Sequence, residues 1–266
     1  MYPSQRRDRL LELLAEHRFV SLRDLASQLG VSEITMRRDL KQLKDQGLVE
    51  TVVGGAQLAG GAQEPPFLSK RVLQAREKQD IARAALATLE PGMTVGLSAG
   101  TTTWTLARLL KFRGFAGPLT FVTNSVNVAT ELQANGWTDI LLSGGNFRTP
   151  SDALVGPLAE LTLRQLYTDV LFLGIHGMDL ERGLMTPNLF ERSVNRTLME
   201  QAGRVVVVAD HSKWGVLATA HVADWEEVDL VLTDSLGGEE EVRALRQLGV
   251  EAQVAPTTEV EVSGEE

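Results

Sequence analysis

The stretch Ser32-Glu33-Ile34-Thr35-Met36-Arg37-Arg38-Asp39-Leu40-Lys41-Gln42-Leu43-Lys44 decides how the first part of the chain is read. At about 100° per residue it forms one amphipathic helix. Met36, Leu40 and Leu43 share a face, and Arg37, Arg38 and Lys41 lie roughly opposite. A short helix with an apolar back and a cationic front suits the major groove of DNA. The same pattern also describes an ordinary helix with a solvated basic face, so the flanking sequence has to decide.

Upstream, Leu10, Leu13 and Leu14 recur at helical spacing. Ser21 opens Ser-Leu-Arg-Asp, an N-cap followed three residues later by an acid, Asp24. Leu22, Leu25, Ala26 and Leu29 make an apolar stripe, Gly30 closes that helix, and Ser32 caps the next. After Gly47 the sequence alternates around Gly54-Gly55, as a two-stranded hairpin does. Three helices with a tight turn, followed by a hairpin, read as a winged helix-turn-helix. The candidate DNA contacts are Ser21, Ser32, Ile34, Thr35, Arg37, Arg38, Lys41 and the wing glycines Gly54 and Gly55. Ile34 lies on the basic front. It either meets a thymine methyl or packs on the preceding turn.

Charge is divided unevenly. Residues 1–58 hold nine Lys and Arg against eight Asp and Glu, net +1, so the rest of the chain accounts for −10 of the total of −9. An acidic body is repelled by DNA, so contact runs through the small first part. At net +1, one copy of that part holds few phosphates, and useful affinity calls for a homo-oligomer, a dimer or tetramer, on repeated half-sites. The chain has no cysteine, which removes disulfides and thiolate chemistry, and its four histidines, His17, His176, His211 and His221, show no metal-ligand spacing. No cofactor or metal is implied. No apolar run approaches the length of a membrane span, and the first residues lack the apolar core of a signal peptide, so a cytoplasmic protein is expected.

Residues 59–66 have linker composition, and a charged helical pattern at 67–89 reads as a connector helix. Beyond Met93 short apolar runs (94–97, 119–122, 140–142, 170–174, 205–209 and 230–232) alternate with helical patterns. This predicts an α/β domain over 67–255 with a mostly parallel sheet, followed by an acidic tail at 256–266. In such folds ligands bind where loops leave the C-terminal ends of strands. Those loops hold Ser98, Gly100, Thr101, Thr102 and Thr103; Asn124; Gly144, Gly145 and Arg148; Asp179; Asp210 and Lys213, with Glu191 nearby. Glycine and threonine at a helix start suit a phosphate, and the amides, hydroxyls and cations together suit a phosphorylated polyol.

Residues 6–58 resemble the N-terminal domain of the DeoR family of bacterial transcription regulators. The carrying words are Val20-Ser21-Leu22-Arg23-Asp24-Leu25-Ala26, the Ser-x-x-Thr-x-Arg-Arg-Asp-Leu run at 32–40, and Gly54-Gly55-Ala56. Met36 replaces the family's usual Ile, and Glu50-Thr51 stands where an Arg is common in the first wing strand. Residues 67–255 resemble the family's sensor domain, similar to sugar-phosphate isomerases. Gly100-Thr101-Thr102, Gly144-Gly145 with Arg148, Gly177 with Asp179, and Asp210-His211-Ser212-Lys213 carry that match. The resemblance implies a repressor of carbohydrate-metabolism genes that binds a double-stranded DNA operator and responds to a sugar phosphate. Ser98 stands where the family usually places Asp, so one carboxylate is missing. The other reading is a sugar-phosphate isomerase-like enzyme fused to a DNA-binding domain, with Asp179, Glu191, Asp210 and Lys213 as acid–base groups.

Overall fold

In the computed structural model, which describes residues 2–17, 19–58, 66–236 and 239–257, the leucine periodicity near the start becomes three helices. α1 (Pro3–Glu16) buries Leu10, Leu11, Leu13 and Leu14. After β1 (Val20–Ser21), α2 (Leu22–Gln28) begins at its cap Ser21, whose Oγ accepts the Asp24 N–H at 3.1 Å. α3 (Glu33–Asp45) begins at Ser32, whose Oγ accepts the Thr35 N–H at 3.2 Å. Each cap satisfies an amide that the helix itself leaves unpaired, worth about 1 kcal/mol. β2 (Val49–Val52) and β3 (Gly55–Leu58) form the antiparallel wing, and β1 pairs with β3 to give the order β1-β3-β2. α4 (Phe67–Val72) follows, and its Val72 joins the core of Leu10, Leu14, Leu25, Met36 and Leu40.

The chain divides into two units, Met1–Ala75 and Arg76–Glu266. The expected single connector helix over 67–89 is two helices instead. α4 belongs to the first unit. α5 (Ala75–Leu86) opens the second after Gln74, which sits at φ 47. A helix cannot run through a left-handed residue, and Val72 has its own core to join. The expected linker and acidic tail fall, apart from residues 66, 256 and 257, outside the described residues.

In the second unit α5 leads to β4 (Thr94–Leu97), α6 (Thr101–Leu109), β5 (Thr120–Thr123), α7 (Val126–Ala134) and β6 (Ile140–Leu142). Next come the hairpin β7 (Asn146–Arg148) and β8 (Ala153–Val155), then α8 (Pro157–Leu163) and β9 (Val170–Leu173). β10 (Gly177–Asp179), β11 (Gly183–Thr186), α9 (Leu189–Glu200), β12 (Val205–Val208) and β13 (Ala220–Ala223) follow. β14 (Leu230–Thr233), α10 (Glu239–Gln247) and β15 (Glu251–Val254) close the unit. Seven strands form one parallel sheet in the order β15-β14-β12-β9-β4-β5-β6. Its central strands β9, β12 and β14 are buried at every residue, as parallel strands covered on both faces must be. Their side chains join helices α8, α9 and α10 in one core that includes Leu171, Val194, Leu198, Val207 and Leu245.

The order reverses at β4. β5 and β6 extend to one side, and β9, β12, β14 and β15 to the other. The gap between the β4 and β9 loops is therefore the topological switch point, where open α/β sheets place their ligands. A smaller antiparallel sheet, β10-β11-β13, and the β7-β8 hairpin were not expected from the sequence.

Candidate nucleic-acid interface and effector site

On the first unit, α3 presents the surface that its sequence promised. Met36, Leu40 and Leu43 are buried, while Arg38, Lys41 and Arg37 are exposed and Ile34 is 74% exposed. Ile34 therefore stands on the open front and does not pack on the preceding turn. The loose Arg37–Glu33 contact at 3.8 Å is solvated and holds little. A groove of about 550 Å³ runs between α3 and the wing, lined by Ser21, Arg37, Lys41, Lys44, Thr51 and Gly54 among others. Lys44, in the last turn of α3, reaches across it to the Thr51 hydroxyl at 3.2 Å.

Asp39 was not among the candidates, yet it positions the helix. It is 5% exposed and accepts two hydrogen bonds from Arg6 of α1, 2.6 Å from Nε and 3.2 Å from the second guanidinium nitrogen. The Asp39 hydrogen bond raises the Arg6 pKa further above its already high value, against the opposing effect of burial. Gly55 is a correction in the other direction. It is buried, and a Cβ there would collide with the Val20 carbonyl oxygen, so its glycine lets β3 pair with β1 at the edge of the groove. Gly54 is exposed in the wing turn at φ 88, beside a fully exposed Val53. Ser21 and Ser32 spend their hydroxyls as caps, and Thr35 Oγ1 lies 3.0 Å from Ser32 Oγ.

At the switch point of the second unit, Gly100 lies so close to the β9 loop that a Cβ on it would touch the Gly174 Cα. α6 starts there, and the amides of Thr101, Thr102 and Thr103 are its first, partnerless within the helix. Such amides, with the helix dipole, favour an anion. Thr101 and Gly100 are part-exposed, Gly144 is exposed at the end of β6, and Lys213 is part-exposed after β12, the strand beyond β9.

Several other expected effector contacts turn inward. Ser98 is fully buried, and its Oγ accepts the Gly174 N–H at 2.9 Å, tying the β4 loop to the β9 loop. The buried Thr103 hydroxyl donates to the Ser98 carbonyl at 2.7 Å. Asn124, 2% exposed, takes the Ala99 N–H at 2.8 Å and donates to the Leu154 carbonyl at 3.3 Å. Gly145, at φ 128, packs where a Cβ would strike the Val155 carbonyl. Asp179 Oδ1 accepts the Glu181 and Arg182 amides and closes the β10-β11 turn. Arg148 and Glu191 pair at 3.0 Å, and the Thr186 hydroxyl donates to Glu191. Asp210 is fully buried, holds Ser212, and faces Lys78 Nζ of α5 at 3.9 Å, itself 2% exposed. The polar residue types that suggested a ligand thus largely organise the loops around it.

Two acids escaped the sequence reading. Asp234, with no motif to mark it, lies 3.0 Å from His211 Nδ1. Asp152, in the β7-β8 turn at φ 58, accepts the Ser125 hydroxyl and the Asn127 N–H at 2.9 Å, and burial pushes its pKa up despite those bonds. Among the described residues no helix is long and apolar enough to cross a membrane.

Comparison with known proteins agrees with this geometry. Residues 6–60 match the DeoR-like helix-turn-helix domain, and residues 73–235 match the DeoR C-terminal sensor domain. The chain is 34% identical over 251 residues to a putative aga operon transcriptional repressor of Escherichia coli O157:H7, covering 93% of this chain and 92% of that one. It is 38% identical over 235 residues to the transcriptional regulator GlpR of Haloferax volcanii, covering 88% and 91%. A ribose 5-phosphate isomerase structure from Methanocaldococcus jannaschii overlaps 53% of this chain and 55% of its own at 17% identity, with a TM-score of 0.41. The sequence relatives are regulators and not enzymes, which sets aside the isomerase alternative. With two family domains in order, a helix-turn-helix whose third helix exposes its basic face and, later in the chain, a parallel α/β domain, the chain belongs to the DeoR family of DNA-binding transcription regulators.

Proposed function

We propose that this regulator is a repressor of carbohydrate-metabolism genes whose hold on its operator is controlled by a phosphorylated sugar or a related metabolite. The observation that carries this is the α6 N-terminus, opened by Gly100 and Thr101 at the β4/β9 switch point, with Lys213 at the end of a neighbouring strand. Free amides and one cation suit a phosphate. Relatives named for an aga operon and for a glycerol-3-phosphate regulon support a target and effector of this class. Ile34, Arg37, Arg38 and Lys41 read the operator, and the α3–wing groove takes the adjoining backbone.

The regulator works as an oligomer in this reading. The near-neutral first unit supports it, and so do Leu158 and Leu161, which stand 65% and 61% exposed one turn apart on α8. A cytoplasmic location follows from work on DNA. The test is a gel shift of the full chain on the fragment upstream of its own gene, with and without a panel of sugar phosphates. At least one member is expected to weaken binding tenfold or more. If none changes operator affinity, the sensor role falls for that class of ligand.

A further inference from the structure

The five residues from Thr123 to Asn127 leave the end of β5 and frame one side of the effector loops. Most of their polar atoms are used. Thr123 Oγ1 donates to the Leu97 carbonyl at 2.6 Å, and Asn124 bridges Ala99 and Leu154. Two side chains anchored to this frame keep a buried atom without a partner. Ser143, 3% exposed, is held by its N–H on the Thr123 carbonyl at 2.9 Å, and its Oγ has none. Asp152, 1% exposed, gives Oδ2 to Ser125 and Asn127, and its Oδ1 has none.

Leaving a buried carboxylate oxygen without a donor costs on the order of 1–3 kcal/mol, so sites that keep one commonly take the donor from outside the chain. Asp152 also holds a left-handed backbone, which among the described residues only it and Gln74 do without being glycine. Such strain gathers at ligand sites.

We infer that Asp152 and Ser143 form a hydroxyl-recognising subsite for the polyol part of the effector, while the α6 N-terminus takes the phosphate. This rests on the effector reading above. The carboxylate accepts from a ligand O–H, and the serine hydroxyl, anchored to the same five-residue frame, donates or accepts. Ser98 carries no charge and is turned to Gly174, whereas Asp152 brings a carboxylate to the loop after β5.

The experiment is calorimetric titration of the full chain with inorganic phosphate and with a set of polyol phosphates, including glycerol 3-phosphate and ribose 5-phosphate. Wild type is expected to bind at least one polyol phosphate tenfold or more tightly than inorganic phosphate. Asp152→Ala should erase that advantage and keep inorganic phosphate within about twofold. Asp152→Asn retains an oxygen toward Ser125 and serves as the second variant, with a partial loss expected. A wild type that prefers no polyol phosphate overturns the effector reading and this inference with it. A preference that survives both substitutions overturns the inference alone. So does an equal loss of phosphate and polyol phosphate binding, since that marks a merely structural role.

Discussion

Asp39 lies between two features that point outward, Arg38 and Lys41, yet its carboxylate points in. Helical spacing explains this: Met36, Asp39, Leu40 and Leu43 follow the i, i+3, i+4, i+7 pattern of one buried stripe. An acid in such a stripe has to be paired, and Arg6 supplies both hydrogen bonds. That much was readable in advance from the position of the acid, although its partner 33 residues away was not. Arg6→Ala is expected to destabilise the first unit by about 3 kcal/mol, because it strands a buried carboxylate. The pair Arg6→Met with Asp39→Leu should recover most of that loss, read as midpoints in urea denaturation. Equal midpoints for wild type and Arg6→Ala would show that the pair does not hold α3. The same difficulty governs the effector loops. Ser98, Asn124 and Asp210 are the polar types a ligand would need, and also the types that close loops, so composition alone does not separate the two uses.

At the scale of elements, the wing depends on a contact with no side chain in it. β3 approaches β1 so closely that Gly55 leaves no space for a methyl group. Gly55→Ala should separate the two strands and cost roughly 1–3 kcal/mol, as forced overpacking does. Operator affinity should fall with it, measured by fluorescence anisotropy on a labelled fragment, and Gly54→Ala should leave the β1–β3 pairing intact. A Gly55→Ala protein with wild-type stability would sink the close-approach argument. Six of the seven parallel strands were legible as short, mainly apolar runs bounded by turn residues, as Val205–Val208 shows, whereas β15 interleaves Glu251 and Gln253 with its apolar residues and was not. The hairpin β7-β8 and the β10-β11-β13 sheet were not. Asn146–Arg148 and Gly177–Asp179 have three residues each, too few to show a period, and packing on the larger sheet makes them strands.

For the whole molecule, charge bears on the number of copies expected on DNA. One first unit offers about five cations on or near its groove, Arg23, Arg37, Arg38, Lys41 and Lys44, so a single copy bound to DNA should give a salt slope no steeper than about −4.5. The expectation for the intact protein is a steeper slope and a mass above one chain in analytical ultracentrifugation. A monomer with a shallow slope would refute the oligomer. The buried Lys78–Asp210 pair has a different kind of consequence. Asp210 begins the loop that ends at Lys213, and Lys78 lies three residues beyond Ala75, where the first unit ends. Two charges withdrawn from water are costly to part, which ties this loop to the start of α5. If Lys213 takes the phosphate of the effector as proposed, movement of its loop is expected to be felt at Lys78, three residues after the first unit ends. Lys78 and Asp210 meet across 3.9 Å, although 132 residues of sequence separate them.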